Sequence, residues 1–210
     1  MEQLRPKADP RGVRTSGKRM RSRLLDAAVE LFKARGASGV SVAEIAAAAD
    51  AFPSQITYYF RTKEALFVEA ACREVLYVAR QAEAAAASAA SGSDYNRRLV
   101  ESVVGSAGLS LFVEALSLTR RRQDLAPLIE RTFDRLHAEG DRAYGEFSQR
   151  RAWSSAEPGV AARRFWTLAL GIGLREGATE ATVAEAVEDM LALLRAAPTP
   201  PQLVRLGDHR

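Results

Sequence analysis

The strongest constraint on the fold of this 210-residue chain is the stretch at residues 41–66, which reads SVAEIAAAADAFPSQITYYFRTKEAL. Two short runs with helical apolar spacing lie on either side of a brief interruption, and a further run begins after the second. This pattern predicts a short helix, a tight turn, a second short helix and the start of a third. It is the outline of a helix-turn-helix, whose second helix is shaped to enter the major groove of DNA.

Signals for the ends of both helices lie within the same stretch. Ser41 is followed three residues later by Glu44, a spacing typical of a capping box at a helix start. Asp50 tolerates a left-handed backbone and can therefore end the first helix. Pro53 has the fixed φ that suits the first position of the next helix. The positions expected to face inward are Val42, Ile45, Ala46, Ala49, Ile56, Tyr59 and Phe60.

The outward face of the second helix carries side chains that can read DNA. Gln55 can pair two-pronged with adenine, and the methyl group of Thr57 can touch a thymine methyl. The hydroxyl of Tyr58 can reach a phosphate, and Lys63 can clamp another beside the backbone amides of the next helix. An ordinary helical corner with a polar face is the alternative interpretation of this segment alone. The candidate DNA-contacting residues are Lys18, Arg19, Ser41, Ser54, Gln55, Thr57, Tyr58 and Lys63.

The residues at 45–46 (Ile-Ala) and 56–66 (ITYYFRTKEAL) together resemble the DNA-binding signature of TetR-family transcriptional regulators. The resemblance covers residues 18–68, and the remainder of the chain is similar to that family only in length and helical character. The turn departs from the family pattern, because Asp50, Ala51 and Phe52 stand where Gly, Val and Ser are usual. Thr57 likewise stands where a Tyr is usual. These departures indicate an operator peculiar to a subgroup of the family.

A basic segment precedes the helix-turn-helix. The first 23 residues carry eight Lys and Arg side chains against two acidic ones, although the whole chain has a net charge of only +4. A basic arm beside a groove-reading helix supplies the salt-dependent part of DNA affinity that is independent of sequence. A tail that only increases solubility is the alternative. An amphipathic helix predicted at 21–35 follows, with Gly36 as its terminator.

Strand signals are almost absent from the chain, and the helical period dominates. We therefore expect an all-α protein with an N-terminal three-helix, helix-turn-helix DNA-binding domain and a C-terminal helical domain for ligand binding and dimerisation. The expected divisions are a flexible basic arm at 1–17, the DNA-binding domain at 18–66, the helical domain at 67–197 and a loose tail at 198–210. The helices expected in the C-terminal domain span 62–90, 94–104, 109–119, 125–153, 158–176 and the residues after Thr182.

The last two predicted helices are the candidate dimer interface. The helix at 158–176 is apolar around most of its circumference, so it must be covered on nearly all sides. Two such helix pairs could form a two-fold bundle that places two recognition helices about one turn of DNA apart (roughly 34–36 Å). A fully intramolecular core is the alternative. The candidate interface residues are Phe165, Leu168, Ile172, Val183, Val187, Met190, Leu191 and Leu194.

The resemblance to TetR regulators also implies a ligand pocket among the middle helices and a ligand that releases the protein from DNA. Few charged side chains lie on the apolar faces of these helices, so we expect an apolar or amphipathic small molecule. Ordinary core packing is the alternative for each candidate residue. The candidate lining consists of Phe112, Leu116, Phe133, His137, Trp166 and Leu170.

Enzymatic function finds no support in the sequence, which has no phosphate-binding glycine loop, no metal-ligand spacing and no nucleophile–base pair. We expect no metal and no cofactor. The lone cysteine, Cys72, and the absence of an N-terminal apolar run predict a cytoplasmic protein without a membrane partner. The sequence thus predicts a ligand-responsive homodimer that binds a palindromic operator in double-stranded DNA, by resemblance a repressor. A helical dimerisation or adaptor protein without specific DNA binding is the alternative.

Overall fold

The computed structural model describes residues 10–151 and 158–195, and in these ranges the chain forms helices joined by short turns, without a strand. The predicted all-α class is therefore confirmed. A short 3-10 helix at Gln123–Leu125 precedes the seventh of the α-helices. These are α1 (Pro10–Arg35), α2 (Val42–Ala48), α3 (Pro53–Phe60), α4 (Lys63–Ala86), α5 (Gly92–Val103), α6 (Ala107–Thr119), α7 (Ala126–Arg151), α8 (Pro158–Glu176) and α9 (Val183–Arg195).

Helices α1, α2 and α3 form a small N-terminal head whose buried side chains are continuous with the core of the rest of the chain. The start of α2 has the predicted capping box, in which the Ser41 hydroxyl accepts from the Glu44 amide at 3.2 Å and the Ser41 amide donates to Glu44 Oε2 at 2.7 Å. These reciprocal bonds lower the pKa of Glu44 to about 2, with Arg35 adding a further contribution. Buried residues that hold the head together are Leu24, Ala28, Phe32, Ile45, Ile56 and Phe60.

The turn between α2 and α3 follows the prediction. Asp50 has a φ of 47°, in the left-handed region that most side chains avoid. The chain reverses there, and the amide of Ala51 returns to the carbonyl oxygen of Ala46 at 2.9 Å. Pro53 is then the first residue of α3. A backbone of this shape ends α2 abruptly and separates it from α3.

Helix α4 belongs to both the head and the body, which is formed by α4 to α9. Its start is capped by Thr62, whose hydroxyl accepts from the amide of Ala65 at 3.1 Å. Near this end the ring of Phe67 packs edge-on against Phe32 of α1, with centroids 5.1 Å apart. Further along, α4 packs against α5, α6 and α7. The head is thereby joined to the body through one continuous helix.

Some helix boundaries differ from the prediction. Helix α1 begins at Pro10, so residues 10–17 of the predicted arm are helical; proline is compatible with the first turn of a helix. Helix α4 ends at Ala86 and not at residue 90. Helix α5 begins before Asp94 because Ser91 is its cap, with the Ser91 hydroxyl accepting from the amide of Asp94 at 3.2 Å. The predicted arm residues 1–9, the end of the predicted 125–153 helix after Arg151 and the predicted tail lie outside the described residues.

Two other predicted boundaries in the body are confirmed. Gly105, with a φ of 74°, separates α5 from α6 at the expected break. Thr182 caps α9 together with Glu185, whose Oε2 accepts from the amide of Thr182 at 2.8 Å. The hydroxyl of Thr182 accepts in turn from the amide of Glu185 at 3.3 Å. The break at Gly105 and the capping box at Thr182 each depend on three or four neighbouring residues, and both appear in the structure as the sequence predicts.

Most of the residues predicted for the dimer interface are buried within a single protomer. Helix α9 packs against α5 and α8 of its own chain, and this contact covers its apolar seam. Leu168 and Leu194 are half-buried, and Val183 is exposed. The buried residues are Phe165, Ile172, Val187, Met190 and Leu191.

The apolar content of the described helices also bears on membrane crossing. Within residues 10–151 and 158–195, each helix taken singly is too short or too polar to cross a membrane. Only α5 and α6 taken together have the required length and composition, and these two helices are bent by 67° at the break between them.

The left-handed backbone at Asp50 can be tested by replacing this residue with Gly or Ala. Both changes remove the side chain that approaches Arg23 at 3.5 Å, so the comparison isolates the backbone. The Asp50→Gly variant should be more stable than Asp50→Ala by about 1 kcal/mol, because glycine adopts a positive φ without a Cβ clash. Urea unfolding would measure the difference. Equal stability of the two variants would contradict this account of the turn.

Candidate nucleic-acid interface

The outward face of α3 is exposed as predicted. Ser54, Thr57 and Tyr58 are all open to solvent, and the side chain of Tyr58 is 80% exposed. On the opposite side, Ile56 and Phe60 are buried and fix the helix to the head. The hydroxyls of three neighbouring side chains are therefore presented by a helix that is itself firmly packed.

Gln55 has a role within the protein that the sequence reasoning missed. Its side-chain Oε1 accepts from the backbone amide of Phe52 at 2.9 Å, and the residue is half-buried. The oxygen thus caps the start of α3, where Phe52 offers no acceptor of its own. Two-pronged pairing with adenine needs both the oxygen and the NH₂ group, so it would compete with this cap. The arrangement favours Gln55 as a donor to acceptor atoms on a base edge.

Lys63, predicted to clamp a phosphate, also has a partner inside the head. Its ammonium donates to the carbonyl oxygen of Val40 at 2.6 Å and joins the start of α4 to the segment before α2. An ammonium has three donors, so two remain for other acceptors. Ser41 is exposed, but its hydroxyl accepts from Glu44 as part of the capping box.

The basic residues of the head fall into two groups. Arg21 pairs with Glu69 at 2.5 Å and lies 4.7 Å from the ring centroid of Phe60, so it braces the head. Arg23 donates to the carbonyl oxygen of Ala49 and holds the turn. Lys18 and Arg19 are exposed on α1, as a phosphate-contacting role requires.

Arg61 is an exposed cation that the candidate set omitted. It is the residue after α3, and its positive φ of 66° turns the chain toward α4. The signal for it in the sequence was its place directly behind the recognition helix. Together with Lys18 and Arg19, it adds positive charge to the head.

A small, partly open cavity lies in the body between α4, α5, α7 and α8. Its volume is about 20 Å³, which is room for about one water molecule. Among the six residues predicted to line a ligand pocket, Trp166 alone lines this cavity. The other aromatic lining residues are Tyr95, Tyr144 and Phe165.

The remaining candidate pocket residues pack elsewhere in the body. Phe133 lies between Phe112 and His137, with ring centroids 5.5 Å and 5.9 Å away respectively, and Phe112 is fully buried. Leu116 and Leu170 are half-buried and pack against the core. In this conformation these five side chains pack within the body, and Trp166 is the candidate that lines the cavity.

One acidic side chain faces the cavity. Burial raises the pKa of Glu83 to about 7, although Arg142 lies 3.7 Å from its carboxylate and opposes the shift. Tyr144 is also buried there and donates its hydroxyl to Asn96 Oδ1 at 2.9 Å. The cavity therefore combines aromatic surfaces with a carboxyl group that titrates near neutrality. In the part of the chain that the structure describes, no cluster of His, Cys, Asp and Glu side chains could hold a metal ion.

Two family models match the chain. Residues 24–70 match the model described as bacterial regulatory proteins, tetR family. Residues 92–195 match the model described as bacterial transcriptional repressor C-terminal. The first match contains the helix-turn-helix, and the second contains helices α5 to α9.

Solved structures resemble the helix-turn-helix region and the C-terminal helices together. A protein from Rhodococcus sp. RHA1 that is assigned as a transcriptional regulator is 37% identical, with a TM-score of 0.73 over 83% of this chain and 93% of that chain. A TetR-family regulator from Mesorhizobium loti is 20% identical, with a TM-score of 0.64 over 85% of this chain and 94% of that chain. A regulator from Saccharomonospora viridis in complex with choline is 19% identical, with a TM-score of 0.62 over 84% and 96%. No curated protein matches the chain in sequence.

The carboxyl group at the cavity predicts a pH-dependent stability. Because the folded state holds the Glu83 proton up to a pKa of about 7, against the usual 4.5, ionisation between these values favours unfolding. Glu83→Gln should therefore gain stability relative to the wild type as pH rises from 5 to 8, by at most about 3 kcal/mol. Urea unfolding at the two pH values measures this. A difference between variant and wild type that stays constant with pH would contradict the burial of this group.

Proposed function

The chain belongs to the TetR family of bacterial transcriptional regulators, and on this premise we propose that it is a homodimeric repressor which a small molecule releases from a palindromic operator. Regulators of this family bind DNA and are not enzymes. The observation that carries the proposal is the exposed polar face of α3 on a firmly packed head with exposed cations. The match of residues 92–195 to a repressor C-terminal model supports repression over activation of transcription. A DNA target supports a cytoplasmic site of action.

In this proposal α3 reads the bases, and the cations around it bind the backbone. Ser54, Gln55 and Thr57 contact base edges in the major groove, and Tyr58 donates its hydroxyl to a phosphate. Contacts that carry no sequence information come from exposed cations, and each phosphate neutralised makes the affinity more dependent on salt. These cations are Lys18, Arg19, Arg61 and the free donors of Lys63.

The second copy is proposed to pack on a different face of α8 from the one first predicted. Val160 and Leu174 are 53% and 60% exposed, and Thr167 and Gly171 lie between them on one stripe at helical spacing. A Cβ added at Gly171 would meet no atom within 4 Å, so the helix surface there is open to another helix. Leu193 of α9 is 48% exposed, and its carbonyl oxygen accepts from Arg164 of α8.

The effector is proposed to enter the cavity beside Trp166 and Glu83. This cavity holds about one water molecule, so ligand binding requires the surrounding helices to separate. A ligand that binds the opened body more tightly weakens DNA binding by the same factor that DNA weakens ligand binding. The aromatic lining with one carboxyl group suits a small amphipathic molecule, and a structural relative from Saccharomonospora viridis holds choline.

Selection of bound sequences from a random pool of DNA duplexes tests the proposed function directly. At near-physiological salt, a dimeric reader should enrich a palindrome with half-sites about one helical turn apart. Binding without enrichment would contradict sequence-specific recognition and favour the adaptor alternative. The enriched operator then serves to screen small molecules for release.

Two variants distinguish the donor role of Gln55 from its capping role. Gln55→Glu keeps an acceptor for the amide of Phe52 but removes the NH₂ donor, whereas Gln55→Ala removes both. Both variants should lose discrimination at one operator position, by about 1–3 kcal/mol, and only Gln55→Ala should also lose stability. Competition binding with operator variants measures discrimination, and thermal unfolding measures the cap. Wild-type discrimination by Gln55→Glu would exclude a base contact from this side chain.

Charge placed on the exposed stripe of α8 tests the dimer. Leu174→Glu should yield a folded monomer in sedimentation experiments, because residue 174 is exposed in the protomer. Leu191→Glu should instead unfold the protein, because Leu191 is only 2% exposed within its own chain. Tyr77→Glu, at a half-exposed site on α4, is the matched control and should remain dimeric. A stable dimer of Leu174→Glu would place the interface elsewhere.

A further inference from the structure

Phe52 differs from every other phenylalanine of the chain. It is 75% exposed, whereas Phe133 is half-buried and the other six are buried. It lies directly before α3, where Ser, Thr, Asp or Asn would satisfy a backbone amide and phenylalanine cannot. The residue therefore contributes neither to the core nor to the side-chain cap of the helix that it precedes.

The backbone that carries this exposed ring is nevertheless fixed. The amide of Phe52 donates to Gln55 Oε1 at 2.9 Å, and its carbonyl oxygen accepts from the Gln55 amide, also at 2.9 Å. Pro53 follows and restricts the chain further through its ring. Two hydrogen bonds and a proline thus fix the backbone and the direction of the Cα–Cβ bond of Phe52, so the ring does not extend from a loose loop.

The place of Phe52 in the fold points to its partner. In a helix-turn-helix, the N-terminal residues of the recognition helix are those that contact base edges. Phe52, Pro53 and Ser54 form an uninterrupted exposed run at this end of α3. An aromatic ring has no hydrogen bond to offer a base, but it makes a favourable apolar contact with the C5-methyl group of thymine in the major groove.

We propose that Phe52 is a specificity-determining residue of the DNA interface, and that it reads the C5-methyl group of a pyrimidine in each half-site. The inference rests on the proposed function. Phe52 would contact a methyl group, whereas Ser54 and Gln55 would recognise a base through hydrogen bonds. Thymine is the ordinary source of this group, and 5-methylcytosine carries the same methyl at the same place in the groove.

The test is a cycle of two proteins and two operators. Wild type and Phe52→Ala are each bound to the enriched operator and to operators in which single thymines are replaced by uracil, which removes only the methyl. At one position in each half-site, uracil should weaken the wild type about fourfold, the factor that corresponds to 0.8 kcal/mol for one buried methyl. Phe52→Ala should bind the two operators equally at that position.

A second arm separates the methyl from the base that carries it. At the same position, a pair containing 5-methylcytosine should be bound more tightly by the wild type than the same pair containing cytosine. Phe52→Ala should make no such distinction. Discrimination by Phe52→Ala in either arm would overturn the proposal, because the methyl would then be read by another group.

Two controls keep the test independent of folding and of the proposed function. The ring is exposed, so Phe52→Ala should unfold at the wild-type temperature and remain in the wild-type oligomeric state. Tyr58→Phe, at the other strongly exposed aromatic side chain of this surface, should keep the wild-type response to uracil. Equal losses for wild type and Phe52→Ala at every thymine would reject the role of Phe52 while leaving operator binding established. Failure of the wild type to enrich any operator would reject the proposed function itself.

Discussion

The structure depends on one helix, α4, which packs against both the head and the body within one continuous apolar core. Its first turns pack on the head through the edge-on contact of Phe67 with Phe32, and the remainder lies at the centre of the body. Three ion pairs, Arg21–Glu69, Asp26–Arg73 and Lys33–Glu74, lie along the junction of α1 with α4. Each exposed pair contributes little stability alone, but together they specify the register of the two helices. A head attached in this way cannot tilt unless α4 moves with it.

Because α4 belongs to both the head and the body, a movement in the body can be transmitted to the DNA-reading surface. The cavity beside Trp166 is lined in part by Ala79, Ala82 and Glu83 of α4, so any molecule that enlarged it would press on this helix. A second contact reaches the opposite end, where Arg122 lies 3.6 Å from Glu64 in the first turn of α4. Both ends of α4 therefore touch the body. A displacement in the body can reach the position of α3 through packed side chains, without any change inside the head.

Local signals in the sequence predicted local structure well. The capping box of Ser41 with Glu44, the reversal at Asp50 and the start of α3 at Pro53 each depend on a few neighbouring residues, and the structure contains all of them. The all-α class followed from the apolar period for the same reason. Even the exposed face of α3 could be predicted, because buried positions on so short a helix leave few alternatives.

Tertiary partners were less predictable. The apolar seam of α9 has the same sequence pattern whether it is covered by a second chain or by α5 and α8 of its own chain. In the structure, α5 and α8 of the same chain cover it. Lys63 and Gln55 looked free because their partners are backbone atoms, Val40 O and Phe52 N, which no side-chain pattern reveals. The cavity beside Trp166 is lined by residues from four helices. Its lining therefore depends on tertiary packing, which the apolar period of the sequence does not encode.

Hydroxyl-radical footprinting of the protein on its enriched operator tests most directly whether the heads of two paired protomers read DNA together. Two identical α3 helices on a two-fold axis should protect two segments of the sugar-phosphate backbone, centred about 10 base pairs apart on one face of the duplex. The protection should have the same symmetry as the palindrome. A single protected segment, or uniform protection without a period, would contradict the paired reading of DNA.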